Sequence, residues 1–481
     1  MRTFPPPARA VAVVATLLCG AVATIAPRAV DAQAGDPCGP FGDLKELELN
    51  DRCTFGAATP DDVTVSNIAT GLVESGVFAT TIECRNGTEA LVVASPDELI
   101  VSGSSPDGLT AGLSVLREEF GESLGRISAL SGLVALVEVP PGTIDDAFLR
   151  NTIPALQGAG FSIDLNYLEP AQPNNGFRPD DDPTEAAAAP MGRGGQGRVL
   201  VVDSPSQRSA HPSAPDVVIS SIGQAVIYDV GRNGYIDEDH GHGTFVASLV
   251  KRLAPRAEVV LAGVRGQTLL RSARWAPMMF SDADLINSLH NSFGLAGFGR
   301  GTKRSFDVVN LSLGGAGCDG LAARLALGRF MRDLAVAASE RGPVPTYVAA
   351  AGNDGADIPH FPAAFRDVLT MKAAAEAIAI ASGSAAAAEV LELNDFFIEG
   401  SIAVGSWTGG VQDAFSNCGE WVNGIAAGAR STSRFPSDSD WAIWSGTSFA
   451  TPRVTAALVG GAGLTDVKVD GPTAVNAVGG C

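Results

Sequence analysis

From Arg198 onward, short apolar runs and helix-patterned stretches take turns along the chain, and this alternation narrows the fold more than any other feature. Val199–Val202, Glu258–Val264, Phe306–Leu311, Thr346–Ala351 and Ile402–Gly405 read as strands. Between them lie Gly243–Leu253, a stretch with Leu285, Ile286, Leu289 and Phe293 on one face, and Leu321–Ser339. An alanine-rich insertion, Ala373–Glu392, also reads as helical. Strands joined in turn by helices predict an α/β fold on a doubly wound, mostly parallel sheet, with functional loops at the strand ends.

The chain before Arg198 is organised differently. Arg2 and Arg9 precede the apolar segment Ala10–Ala26, and Ala32-Gln33-Ala34 follows as a small-residue cleavage site. Residues 1–34 therefore read as a secretory signal peptide, which predicts a secreted, extracellular protein in a compartment that permits disulfides. Residues 35–95 form a loop-rich, cysteine-containing segment, with an Asn86-Gly87-Thr88 glycosylation pattern.

Residues 96–171 carry strand 98–102, a helix capped by Asp107, strands 125–130 and 133–139, a helix capped by Thr143, and the alternating strand Phe161–Leu168. That order is the ferredoxin-like α+β unit. Residues 172–197, rich in Pro, Gly, Asn and Asp, bury too little apolar surface to order themselves and read as a linker. The domain that follows covers residues 198–481.

A net charge of -20 argues against nucleic acid or an anionic membrane surface as partner. Apolar runs beyond the N-terminus are too short or too interrupted for a membrane span. Cys38, Cys53, Cys84, Cys318, Cys418 and Cys481 divide three and three around the linker. Full pairing among these six then needs at least one bridge across it, and the sequence leaves the connectivity open.

Four polar residues stand at element ends where chemistry is usually placed. Ser448 lies in Ser445–Pro452, ahead of Phe449, Val454, Ala457 and Leu458 at helical spacing, with Pro452 read as part of the first helical turn. A serine there faces unpaired N–H groups and the positive helix end, which suits a nucleophile whose attack creates an oxyanion. Asp203 ends the strand Val201-Val202-Asp203, His242 opens a helix in Gly241–Ala247, and Asn353 follows Ala350-Ala351-Gly352. Taken singly, each has an ordinary structural reading: a helix cap, a turn, a helix-start histidine, a loop residue. The pair His240 and His242 lacks the companions of a zinc site.

Together with Val309–Gly315, these stretches resemble, over residues 198–460, a subtilase catalytic domain. The chain order Asp, His, Ser is the subtilisin order. The resemblance implies a serine endopeptidase in which Ser448 attacks the peptide carbonyl, His242 shuttles the proton and Asp203 orients the imidazole. It implies an oxyanion hole containing Asn353. It also implies substrate contacts at Ser312, Leu313 and Gly314 and at Ala350, Ala351 and Gly352, whose small residues permit a broad apolar preference. The partners implied are protein or peptide substrates and the chain's own propeptide, with residues 96–171 as an inhibitory prodomain of a zymogen.

No cofactor is expected for the chemistry. Asp229, Asn233 and Asp237, with Gly234 at the turn, resemble an oxygen-ligand calcium loop; a solvated acidic loop is the other reading, and both stay open. Pro205 and Ala427 depart from the family pattern, which usually has glycine and proline there. The alternative function is a catalytically silent subtilase-fold binding or scaffold protein.

Overall fold

The computed structural model describes residues 77–83, 89–158, 160–170, 193–205, 220–222, 241–264, 267–268, 278–295, 305–317, 324–339, 343–366, 400–435, 441–462, 464 and 466–469. The signal segment 1–34, Asn86, the linker up to residue 192, Asp229–Asp237, Ala373–Glu392 and five of the six cysteines lie outside them. Cys418 is described and is disulfide-bonded.

The N-terminal unit is built from β1 (Phe78–Glu83), β2 (Glu89–Gly103), β3 (Ile127–Ala129), β4 (Val134–Glu138) and β5 (Phe161–Pro170). Its strands run in the order β5-β2-β4-β3, all antiparallel, with β1 paired on β2. Helix α1 (Pro106–Phe120) and a helical stretch (π turn Phe148–Thr152, then Ile153–Ala155) join the strands. The cap of α1 is Ser105, whose hydroxyl accepts from Gly108 N–H, with Pro106 opening the helix and Asp107 inside its first turn. Asp145, not Thr143, caps the second helical stretch by accepting from Phe148 N–H at 2.7 Å. In both cases the capping side chain stands three residues before the N–H that it satisfies, as the geometry of a cap demands.

Beyond it come β6 (Arg193–Gly194), β7 (Arg198–Asp203), β8 (Ser220–Ile222), α2 (His242–Leu253), β9 (Glu258–Gly263), β10 (Gln267–Thr268), β11 (Met278–Ser281), α3 (Asp282–Leu295), β12 (Val308–Leu311), β13 (Gly315–Ala316) and α4 (Leu325–Ser339). Then follow β14 (Thr346–Ala350), β15 (His360–Phe361), β16 (Ile402–Thr408), β17 (Val411–Gln412), β18 (Gly424–Ala426), β19 (Ser431–Arg434), β20 (Trp441–Trp444), α5 (Thr447–Leu458), β21 (Gly461–Ala462) and β22 (Lys468–Val469).

The main sheet runs β22-β18-β16-β14-β12-β7-β9-β8, parallel from β18 to β8. Side chains alternate between its faces. Val199 and Val201 enter one core with Phe245, Val250, Phe449 and Val454 of α2 and α5. Leu200 and Val202 enter the other with Leu285, Phe293 and Phe330 of α3 and α4. This is the doubly wound α/β sheet read from the sequence. Arg193–Gly197, read as the end of the linker, is instead paired in a separate two-stranded sheet. β6 pairs with β21, and Gly195 and Gln196 donate to the carbonyls of Gly460 and Val459.

One strand of the N-terminal unit serves two cores. Ile163, Leu165 and Tyr167 of β5 pack beneath α1. Ser162, Asp164 and Asn166 point the other way and are equally buried, against the N-terminal ends of α3 and α4. Asp164 accepts from Ala326 N–H at 2.8 Å, and Asn166 accepts from Ala283 N–H at 3.1 Å, so neighbouring polar positions of one strand satisfy helix-start donors on two helices. Arg324 pairs with Asp282 at 2.9 Å, both nearly fully buried, and lies over the Tyr167 ring. The far end of β5 continues the sheet by pairing antiparallel with β11, Leu168 opposite Ser281 and Pro170 opposite Met279.

Burial pushes the Asp164 carboxyl up to about 7, against the pull of the Ala326 N–H and the Arg324 charge. Burial raises Asp282 as well, with the neighbouring Asp164 acting in the same direction. A folded-state value above the unfolded one means that the packed interface takes up a proton. Its contribution is complete below about pH 4 and is lost as the pH rises through about 7. Melting temperatures of wild type and Asp164→Asn between pH 4 and 8 test this. The wild type is expected to lose stability relative to the variant across that range.

Candidate active site

The strand β20 delivers the chain to Gly446, after which α5 begins at Thr447, so Ser448 sits in the first helical turn as its sequence context predicts. Pro452 is not in that turn. It is the sixth residue of α5, inside the helix. Its ring nitrogen cannot donate to the carbonyl four residues back, which is that of Ser448. The hydroxyl of Ser312 supplies the missing donor at 2.8 Å, and the Ser448 hydroxyl in turn donates to the Ser312 carbonyl at 3.1 Å.

Behind Ser312 the network continues. Its Oγ accepts from Asn310 Nδ2 at 2.9 Å, and Asn310 Oδ1 accepts from Thr455 Oγ1 at 2.8 Å. All four side chains are buried.

Asp203 ends β7 and His242 opens α2, and Oδ1 of Asp203 lies 2.8 Å from Nδ1 of His242. A carboxylate only accepts, so the proton of this bond is assigned to Nδ1. Ser204 holds the two elements together: its N–H donates to Asp203 Oδ1 at 2.7 Å, and its hydroxyl accepts from Gly243 N–H at 2.8 Å. A side chain at position 243 would meet the Ser204 carbonyl at 2.1 Å, so only glycine lets helix and strand approach this closely. Pro205 is accommodated in the same way, its ring packing on Gly263.

His242 is fully buried, edge-on to Trp444 at 5.4 Å and 5.4 Å from the ring of Phe449, the residue after Ser448. Its Nε2 and Asp203 Oδ2 make no hydrogen bond among the described residues. The structure thus joins Asp203 to His242 and Ser448 to Ser312, and sets the imidazole beside Phe449 without a bond between His242 and Ser448.

Asn353 follows the turn at Gly352, whose φ of 100° suits glycine. Its Oδ1 accepts from the N–H of Thr447 at 2.7 Å and from the Thr447 hydroxyl at 3.0 Å. That orientation fixes its amide relative to Ser448, with Nδ2 as the donor end. Ser312, Leu313 and Gly314 leave the end of β12, and Ala350, Ala351 and Gly352 leave the end of β14, on adjacent parallel strands. Asp229, Asn233 and Asp237 lie outside the described residues. Among the described residues no cluster of three His, Cys, Asp or Glu side chains fits a metal, and no helix is long and apolar enough to cross a membrane.

Several contributors were not singled out from sequence. The signal for Asn310 was present: Asn310 and Ser312, two apart on a strand, share one face. Ser204 and Trp444 carry no comparable local mark. The same holds for Asp354 and His360, whose Oδ2 and Nε2 lie 2.6 Å apart, with His360 against Gly352.

A family model described as the subtilase family matches residues 200–460. No curated protein matches the sequence. Among solved structures, the self-cleaved protease domain of PatA is 20% identical over 56% of this chain and 80% of its own, with a TM-score of 0.36. A lanthipeptide protease is 15% identical over 55% and 72%, with a TM-score of 0.36. A cold-adapted subtilisin-like serine proteinase is 19% identical over 55% and 73%, with a TM-score of 0.34.

The link between Pro452 and Ser312 is open to a mutant cycle. Ser312→Ala leaves the buried Ser448 carbonyl without its donor and is expected to cost about 1–3 kcal/mol in chemical denaturation. Pro452→Ala restores a backbone donor, so it is expected to recover part of that loss in the Ser312→Ala background.

Proposed function

Since this chain belongs to the subtilase family, we propose that it is a secreted subtilisin-like serine endopeptidase made as a pre-pro-enzyme. The observation that carries the reading is the buried 2.8 Å bond between Asp203 and His242 Nδ1, with Nε2 left unbonded beside the serine-bearing helix. In this reading the Ser448 hydroxyl turns from the Ser312 carbonyl toward His242 and passes its proton to Nε2. Its oxygen attacks the peptide carbonyl carbon, and the C–O bond forms as the carbonyl electrons move to oxygen. The Asn353 amide and the Ser448 N–H stabilise that oxyanion. Collapse breaks the C–N bond, with the proton passing from His242 to the leaving amine. Water, deprotonated by the same imidazole, then releases the acyl group and returns the serine. Asp203 keeps the ring in the required tautomer and stabilises its cation.

The N-terminal unit reads as the ferredoxin-like propeptide. Its support is the strand order β5-β2-β4-β3 and the way β5 engages α3, α4 and β11. Protein and peptide chains are the substrates in this reading. The loop Asp229–Asp237 belongs to it as a structural calcium site, tested by whether EGTA lowers the melting temperature and calcium restores it.

A fluorophosphonate probe tests the enzyme reading directly. Secreted wild type is expected to label, and Ser448→Ala to lose the label entirely. Asp203→Asn is expected to lower turnover by about 10⁴-fold by favouring the wrong tautomer. Asn353→Ala is expected to lower it by about 10²–10³-fold. Folded, processed wild type that takes no label would make the chain a silent scaffold instead.

A further inference from the structure

The contact with Asp203 fixes the His242 ring at one atom only. A ring held through Nδ1 is still free to tilt about that bond, and a tilt swings Nε2 off the line to Ser448. A base must come within hydrogen-bond reach of the proton it takes, so the tilt decides whether the pair works. What surrounds the rest of the ring is aromatic. Trp444 stands 5.4 Å away with its plane at 87° to the imidazole, and Phe449 lies 5.4 Å away at 48°. The indole is the centre of the group. Phe245 and Phe435 meet it at 5.8 and 5.7 Å, at 88° and 90°, and Phe449 meets it at 5.1 Å. Edge-to-face contacts of this kind fix the planes of the rings as well as burying their area. Trp444 is only 1% exposed.

The backbone around Trp444 is fastened to the segment that precedes β19. Trp444 closes β20 opposite Ser431. The Ser445 hydroxyl accepts from Arg430 N–H at 2.9 Å, and Gly446 N–H donates to the Gly428 carbonyl at 3.2 Å. Indole and nucleophile turn are thus held to the same stretch of chain, residues 428–431. On the far side Phe435 closes in behind the imidazole. A Cβ added to Gly241, the residue before His242, would meet the Phe435 ring at 2.2 Å, so glycine there lets the aromatic wall reach the start of α2. Trp444 therefore touches the ring of the base and, through Phe449, the first turn of α5. No hydrogen bond from His242 Nε2 relates those two elements.

We propose that Trp444 is the positioning residue of the base, its indole setting the tilt of the His242 ring so that Nε2 faces Ser448. The proposal rests on the protease reading and adds to it a residue that takes no part in the bond-making steps. Asp203 then fixes the ring at one atom and its tautomer, and Trp444 fixes the remaining freedom. A misplacement of about 1 Å between reacting groups costs about 10²-fold in rate, so a wall with no polar atom at the reaction still governs turnover. A buried tryptophan also stabilises its core. The two roles separate when turnover is counted per working site: loss of fold lowers the number of sites, and loss of alignment lowers the rate at each.

Hydrolysis of a peptide p-nitroanilide by the secreted, processed enzyme measures this, with sites counted by fluorophosphonate labelling taken to completion. The substrate has no residue after the cut, so contacts on that side do not enter. Trp444→Leu keeps apolar bulk without a ring edge, and is expected to lower kcat per labelled site by about 10²-fold. Its KM is expected to stay within about twofold of wild type, since substrate binding is untouched. The rate constant of labelling, which needs only the attack step, is expected to fall by the same factor as kcat. Trp444→Phe restores a ring and is expected to recover at least about tenfold of the loss. Unchanged kcat per labelled site in Trp444→Leu overturns the proposal, and so does a fall in kcat with no fall in the labelling rate. In the wild type, nuclear Overhauser contacts between the His242 and Trp444 ring protons are expected before and after labelling; their absence overturns it whether or not any variant folds. Wild type that neither labels nor cleaves would instead remove the protease reading itself.

Discussion

Much of the architecture depends on a proline that cannot donate a hydrogen bond. Inside α5, Pro452 leaves the Ser448 carbonyl without its helical partner, and the Ser312 hydroxyl on the neighbouring strand end takes that place. A gap in one element is thus filled by a side chain from another, and the helix is fastened to the sheet at the turn that carries the candidate nucleophile. Asn310 and Thr455 extend the fastening one layer deeper. Such a buried polar chain is stable only when every member is satisfied, which makes it specific about where the helix sits. Asn353, anchored on Thr447, inherits its position from the same turn.

A comparable division of labour runs through β5. Its apolar residues complete the N-terminal core, while the polar residues between them finish α3 and α4, the helices covering one face of the main sheet. Neither helix start has to rely on solvent for those donors, and the polar side chains of β5 face protein. The Arg324–Asp282 pair and the carboxyl of Asp164 crowd the same seam. Charge burial of that kind is weak evidence for stability, but it is sensitive to which partners are present.

The legible part of the sequence was the part written in local periodicity. The α/β alternation after Arg198 and the helix-start position of Ser448 follow from patterns within a few residues. What the pattern did not contain was partnership at a distance. Asp164 and Asn166 look like the solvated half of an alternating strand, because their donors lie 162 and 117 residues away. Pro452 reads as a first-turn proline, and the Ser312 hydroxyl that compensates for it lies 136 residues before the Ser448 carbonyl it serves. Ser105 and Asp145 were passed over as caps for residues two positions away, an error of boundary and not of element. Arg193–Gly197 has a linker's composition, and only its contact with Gly460 and Val459 reveals that it is anchored beyond α5, in a two-stranded sheet with β21.

That last contact sets how the two halves are joined. Pro170 is paired to β11 and Arg193 to β21, so each end of the intervening segment is already held by a different ladder. A covalent connection between two such ladders supplies effective concentration. Severing it would leave every rung of both ladders in register, while turning a self-contained association into one that dilution can undo.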